Sequence, residues 1–96
     1  MQINEITGSI IDSCVKIHRC LGPGLFESVY EEVLFYELIK RGFYVERQVP
    51  IPVIYDQLKM EIGFRADVVV EKRVIVEIKS IEAVGNIHRK QVLTYL

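Results

Sequence analysis

Apolar residues recur every three or four positions over the first forty residues and then at every second position as far as Lys79. That change of period predicts helices followed by strands. Ile3, Ile6, Ile10, Cys14, Ile17 and Leu21 share one helical stripe, with Asn4, Glu5, Asp12, Lys16 and Arg19 between them. They predict a first helix from Asn4 to Cys20, ended by the turn-forming Gly22-Pro23-Gly24. A second helix is expected from Leu25 to Lys40, with Phe26, Val29, Val33, Leu34 and Leu38 as its buried side. Glu27, Glu31 and Glu32 near its start and Lys40-Arg41 at its end suit the helix dipole, and Gly42 suits the C-terminal cap.

From Phe43 the alternation is that of strands. Phe43 to Val49 reads as one strand, which Pro50 and Pro52 confine to a sheet edge or terminate, because proline donates nothing to a ladder. Val53–Tyr55 and Lys59–Phe64 read as a short hairpin around Asp56-Gln57, with Gly63 placed to permit a bulge. Asn86 to Leu96 reads as a closing helix, with Ile87, Val92 and Leu93 apolar.

The segment Arg65–Lys79 stands apart. Two β-branched runs, Ala66–Val70 and Val74–Lys79, flank Glu71-Lys72-Arg73. Pairing Val70 with Val74 closes a three-residue loop and sets Asp67 opposite Glu77. Strict alternation puts Ala66, Val68, Val70, Val74, Val76 and Ile78 on one apolar face, and Asp67, Val69, Ile75, Glu77 and Lys79 on the other. Charge set among apolar neighbours is costly unless it is paired or used.

Composition bounds the rest. Ninety-six residues, half of them hydrophobic and 26% charged, suit a single globular domain over 1–96. A net charge of −1 argues against a strong general electrostatic attraction to nucleic acid, although a local patch is compatible with it. Cys14 and Cys20 form no metal-binding or redox motif and are expected as two buried thiols in a reducing cytoplasm. No signal peptide and no apolar run of membrane-spanning length stands out, so no membrane partner is expected. Cys14 and His18 share a helix face but do not make a zinc site.

Asp67, Glu77 and Lys79 are the candidate chemical group. Two carboxylates across a strand pair repel unless a cation or a proton lies between them, and oxygen ligands favour Mg2+ or Mn2+. Lys79 beside such an ion would orient or deprotonate an attacking water, or steady charge on a phosphate. The competing reading is a salt bridge from Lys79 to Asp67 or Glu77 with no further role. Arg65 reads as a structural ion pair or a phosphate contact. His88-Arg89-Lys90 reads as a solvated helix face or a contact to a nucleic-acid backbone.

Gly24-Leu25-Phe26-Glu27-Ser28-Val29-Tyr30 has the spacing GxxExxY. With Leu21-Gly22-Pro23 before it and Glu31-Glu32-Val33-Leu34 after it, it resembles the bacterial and archaeal GxxExxY family of the PD-(D/E)XK nuclease-like superfamily. The likeness continues through Glu46–Pro50, Phe64–Asp67, Val74–Lys79, Ile87-His88 and Gln91–Leu96. It implies an α/β (α+β) restriction-endonuclease-like core, a mixed sheet of three to four strands flanked by helices. It also implies a magnesium- or manganese-dependent hydrolase acting on DNA or RNA, with a non-catalytic module binding nucleic acid or protein as the alternative.

Residue by residue, the resemblance implies that Asp67 and Glu77 are metal carboxylates, with the Ile78 carbonyl as a further ligand. Lys79 is then the signature lysine, Glu27 the helix acid beside the site, and Gln91 the polar residue of the following helix. Gly24 and Tyr30 support the motif. Tyr30 either hydrogen-bonds Glu27, one turn away, or packs. Members of the family usually continue into another strand after this last helix, so the core is expected to lack its final strand, as in a C-terminal truncation. A second copy or a partner chain would then cover the open edge.

Overall fold

The computed structural model describes the backbone of residues 1–83 and 86–95, with side chains outside positions 61–62 and 80–95. Two helices, α1 (Ile3–Leu21) and α2 (Glu27–Lys40), precede four strands: β1 (Val45–Tyr55), β2 (Leu58–Val70), β3 (Val74–Ala83) and β4 (Asn86–Tyr95). The strands form one sheet in the order β1-β2-β3-β4. The expected α+β class holds. All three pairings are antiparallel, where a mixed sheet was expected.

The main core lies between the helices and one face of the sheet. Ile6, Ile10, Cys14 and Ile17 of α1 meet Tyr30, Leu34 and Leu38 of α2 over Val45, Val68, Val70, Val74, Val76 and Ile78. α1 ends as expected, with Gly22 donating to the His18 carbonyl at 2.8 Å. α2 closes in a Schellman turn: Gly42 donates to Ile39 O at 2.9 Å and Phe43 to Leu38 O at 3.1 Å. Phe43 and Leu38 are both buried, so the turn carries its usual apolar contact.

The inner side of α2 is the expected one at Leu34 and Leu38, with Val33 packed against the core, but not at its start. Phe26 and Val29 are 80% and 41% exposed, while Tyr30, Leu34 and Leu38 face the core, with Glu31 and Glu37 buried beside them. Two acids occupy inward positions, which blurs the apolar stripe and shifts its apparent phase. Glu37 is held there by Lys16 Nζ at 3.2 Å and Arg41 Nε at 3.0 Å. Arg41 in turn reaches Asp12 Oδ2 at 2.9 Å, so the network ties α2 to α1.

β1 does not stop at its prolines. It runs on to Tyr55, closing a two-residue turn at Asp56-Gln57 with Tyr55 opposite Leu58. Its edge position leaves Pro50 and Pro52 tolerable. The register shifts between Ile51 and Val53, and Gly63 explains why. A Cβ there would collide with the Ile51 carbonyl and lie 2.7 Å from Val53 Cγ2 and 2.8 Å from Val53 N. Beyond this bulge the hairpin leaves the helices behind, with Ile54 69% and Tyr55 75% exposed.

Residues 86–95, expected as a helix, are strand β4. It pairs with β3 from Val74↔Tyr95 to Ala83↔Asn86. The short run Ile87, Val92, Leu93 fits either period, and pairing satisfies the outer backbone groups of β3. Positions 84–85 and Leu96 lie outside the described residues. Cys14 is buried, but Cys20, expected to be buried, is exposed on the last turn of α1; the two form no disulfide with each other. Among the described residues, no helix is long and apolar enough to cross a membrane.

Candidate active site

The site forms where the sheet divides. β2 and β3 pair at Val70↔Val74, Val69↔Ile75 and Val68↔Val76, the register read from the sequence, and the ladder ends there. Continuing the register sets Asp67 opposite Glu77. No rung forms at that level. The Ile78 N–H instead donates to Asp67 Oδ2 at 2.8 Å. Below this point β2 continues with β1 alone and β3 with β4 alone, so the sheet forks.

The alternation also slips by one residue at the fork, in both strands of the β1–β2 pair. Arg47 and Gln48 are consecutive, yet both bond Glu31 of α2, which two neighbours in a regular strand cannot do. Asp67 and Val68 are likewise consecutive. Val68 lies in the helix-covered core, and Asp67 lines a cleft with Glu27, Ser28 and Glu31 of α2. Because both strands slip together, the register is kept: Arg47↔Val68 on one side, Val49↔Ala66 on the other. Past the slip, Ala66 packs with Val69, Ile75, Val49 and Ile51 on the far face. Ala66 was expected to share a face with Val68, and Asp67 to share the other face with Val69. The slip exchanges them.

The cleft is lined by Glu27, Ser28, Glu31, Gln48, Asp67 and Ile78, with a volume of about 380 Å³. Glu27 opens α2, whose first turn carries no side-chain cap; Val29 and Tyr30 N–H reach the Phe26 carbonyl at 3.1 and 3.0 Å. An acid there complements the helix dipole. Gly24 sets up this entry with φ +90°, a conformation that disfavours other residues; an added Cβ would meet nothing within 4 Å. Backbone shape, not space, selects glycine.

Glu31 forms the inner wall. Its Oε1 takes the Gln48 amide at 2.6 Å, and its Oε2 takes Arg47 Nε at 3.1 Å. Arg47 also reaches Glu32 Oε2 at 2.8 Å and stacks over the Phe35 ring at 5.1 Å. Burial opposes the charge of Arg47, yet its hydrogen bonds to Glu31 and Glu32 hold its pKa above the usual arginine value. A buried carboxylate with both oxygens engaged is a wall, not a free ligand.

The structure thus brings Glu27 and Asp67 to one cleft beside Ile78. Glu77 and Lys79 are not among its described lining residues. They pair with each other, Lys79 Nζ to Glu77 Oε2 at 3.8 Å, with the lysine 60% exposed. This is the salt bridge of the competing reading, long and wet enough to be worth little. Tyr30 packs: it is buried, and its hydroxyl donates to the Cys14 carbonyl at 3.2 Å. Arg65 is exposed, with no ion pair among the described residues. Gln91 stands at the register position opposite Ile78. Its side chain, and those of His88, Arg89 and Lys90, lie outside the described residues. Glu31, Ser28 and Gln48 were not anticipated as site residues. Only the spacing of Glu31, one helical turn from Glu27, carried a signal.

As for a cation, no group of three or more His, Cys, Asp or Glu side chains able to hold one occurs among the described residues. The donor chemistry of the cleft still fits a hard divalent ion. Mg2+ is commonly held by one or two carboxylates and keeps several waters. Asp67 Oδ2 takes the Ile78 N–H, leaving Oδ1 and the exposed Glu27 carboxylate as oxygen donors.

A family model described as the PD-(D/E)XK nuclease superfamily matches residues 4–96, and the chain belongs to that superfamily. No curated protein and no solved structure matches it significantly.

Proposed function

We propose that this chain is a divalent-cation-dependent nuclease-like domain of the GxxExxY type that hydrolyses phosphodiester bonds in nucleic acid. The observation that carries this reading is the shared cleft of Glu27 and Asp67 at the fork of the sheet, lined also by Ile78, which stands between Glu77 and Lys79 in β3. Superfamily membership over residues 4–96 supports it.

Asp67 and Glu27 hold the ion, Mg2+ or Mn2+, with Glu77 as the further carboxylate. When bound, such a cation polarises a phosphate and acidifies a water. Lys79 orients that water or steadies the charge that builds on phosphate oxygens. The Ile78–Asp67 hydrogen bond fixes one carboxylate oxygen and so limits how the other can turn. Gln91 contributes a polar group from the strand beside Ile78.

The test is cleavage of a panel of single- and double-stranded DNA and RNA with Mg2+ or Mn2+. Wild type is expected to cut at least one substrate, and Glu77→Gln and Lys79→Ala to lose cleavage while unfolding as cooperatively as wild type. No cleavage of any substrate by wild type overturns the enzyme reading.

One observation favours a second reading. The Glu77–Lys79 pair lies apart from the described lining of the cleft. A module of nuclease fold that binds nucleic acid or protein without cutting needs no closer convergence. Calorimetric titration with Mn2+, wild type against Asp67→Asn, separates the two: no ion binding by wild type leaves the second reading ahead.

A further inference from the structure

We infer that Gln48 is a positioning residue whose left-handed backbone aims the Asp67 carboxylate into the cleft. Four non-glycine residues among those described have positive φ. Asp56, Glu71 and Lys72 lie in turns, where such values are ordinary. Gln48, at φ +51°, lies inside β1. A residue in that conformation within a strand turns the following residues onto the opposite face, and this is what happens between Arg47 and Val49.

The consequence passes to Asp67 through register. Gln48 stands opposite Asp67, between the pairs Arg47↔Val68 and Val49↔Ala66. Residues opposite each other in an antiparallel pair share a face. With Gln48 extended, Val49 and Ala66 fall on the helix side, and Asp67 faces away with Val69. With Gln48 left-handed, Asp67 turns toward α2 and captures the Ile78 N–H. The Gln48 amide secures this state by its 2.6 Å bond to Glu31 Oε1, tying the kink to the wall of the same cleft. Gln48 touches no reacting atom in this account; it acts through Asp67. The role in catalysis rests on the function proposed above, while the aim of Asp67 can be read without any ion.

Three variants separate backbone from side chain. Gln48→Gly accepts positive φ without cost and deletes the amide; Gln48→Val opposes positive φ through its β-branch; Gln48→Ala opposes it without bulk. The readouts on metal-free protein are the NOE between the Ile78 amide proton and the Asp67 β-protons, and the exchange protection of the Ile78 amide. Mn2+ affinity is measured in parallel. Gln48→Gly is expected to keep the NOE and the protection, with Mn2+ affinity within about threefold of wild type. Gln48→Val is expected to lose both, with affinity at least tenfold weaker. Gln48→Ala serves in its place should the valine variant not fold.

A Gln48→Val or Gln48→Ala protein that keeps the wild-type NOE and protection overturns the inference. So does a wild type that shows neither signal, whatever the variants do. A wild type that shows both signals but binds no Mn2+ instead overturns the metal-dependent function. In that event the NOE pattern of the variants still decides the role of Gln48.

Discussion

The Ile78 N–H donates to Asp67 Oδ2 at 2.8 Å, in the place where the next rung of the β2–β3 ladder would stand. A side chain has taken over a backbone group's partner, and the sheet opens at that point. Asp67→Asn keeps a carbonyl oxygen to accept this bond and is expected to lose less than about 1 kcal/mol of stability. Asp67→Ala leaves the N–H without it and is expected to lose about 1–2 kcal/mol. Urea unfolding of the two variants measures the difference, and both should lose Mn2+ binding.

Acid should loosen the helix pair through Glu37. Its hydrogen bond from Arg41, and then that from Lys16, outweigh burial and hold its pKa below the ordinary 4.5. A lowered native pKa contributes stability that is full above the unfolded value and is lost as pH falls through the native one. Glu37→Gln is expected to be about 1.5–3 kcal/mol less stable than wild type at pH 7. That gap should narrow steadily below pH 4.5. Urea midpoints across the acid range check both the size and the sign.

Gly63→Ala is expected to disturb the arm of the β1–β2 hairpin and leave the helices intact. The new methyl must displace the Ile51 carbonyl and Val53. Overpacking against backbone costs about 1–3 kcal/mol. Amide exchange should quicken in Ile51–Phe64 and stay unchanged in α1.

Tyr30→Phe separates packing from chemistry at the GxxExxY motif. The ring stays buried and the bond to the Cys14 carbonyl is lost. The expected cost is about 0.5–1.5 kcal/mol, with ion binding unchanged. A variant of normal stability that loses ion binding would instead place the hydroxyl at the cleft.

The parts of the fold legible in the sequence are those where a local rule acts alone. Both helices end where their glycines stand, the loop Glu71–Arg73 is three residues long, and Val70↔Val74 sets the pairing as expected. What was not legible needed a neighbour from elsewhere in the chain. The phase of α2 depends on Lys16, Arg41 and Arg47 neutralising inward acids. The exchange of Ala66 and Asp67 between faces depends on the backbone of Gln48, and no residue type announces that state outside glycine, asparagine and aspartate. The candidate acids were found by motif and spacing. Which of them share a cleft was decided by the slip, which alternation alone cannot contain.

The sheet keeps the order of the chain, so each strand finds its partner in the next segment synthesised. Such contacts are short in sequence and quick to form. The cleft is different: Glu27 of α2 must meet Asp67 of β2, with the whole of β1 lying between them in the chain. The helical pair and the strands can each assemble early and remain inert. On the proposed function, recovery of ion binding during refolding is expected to lag behind recovery of secondary structure.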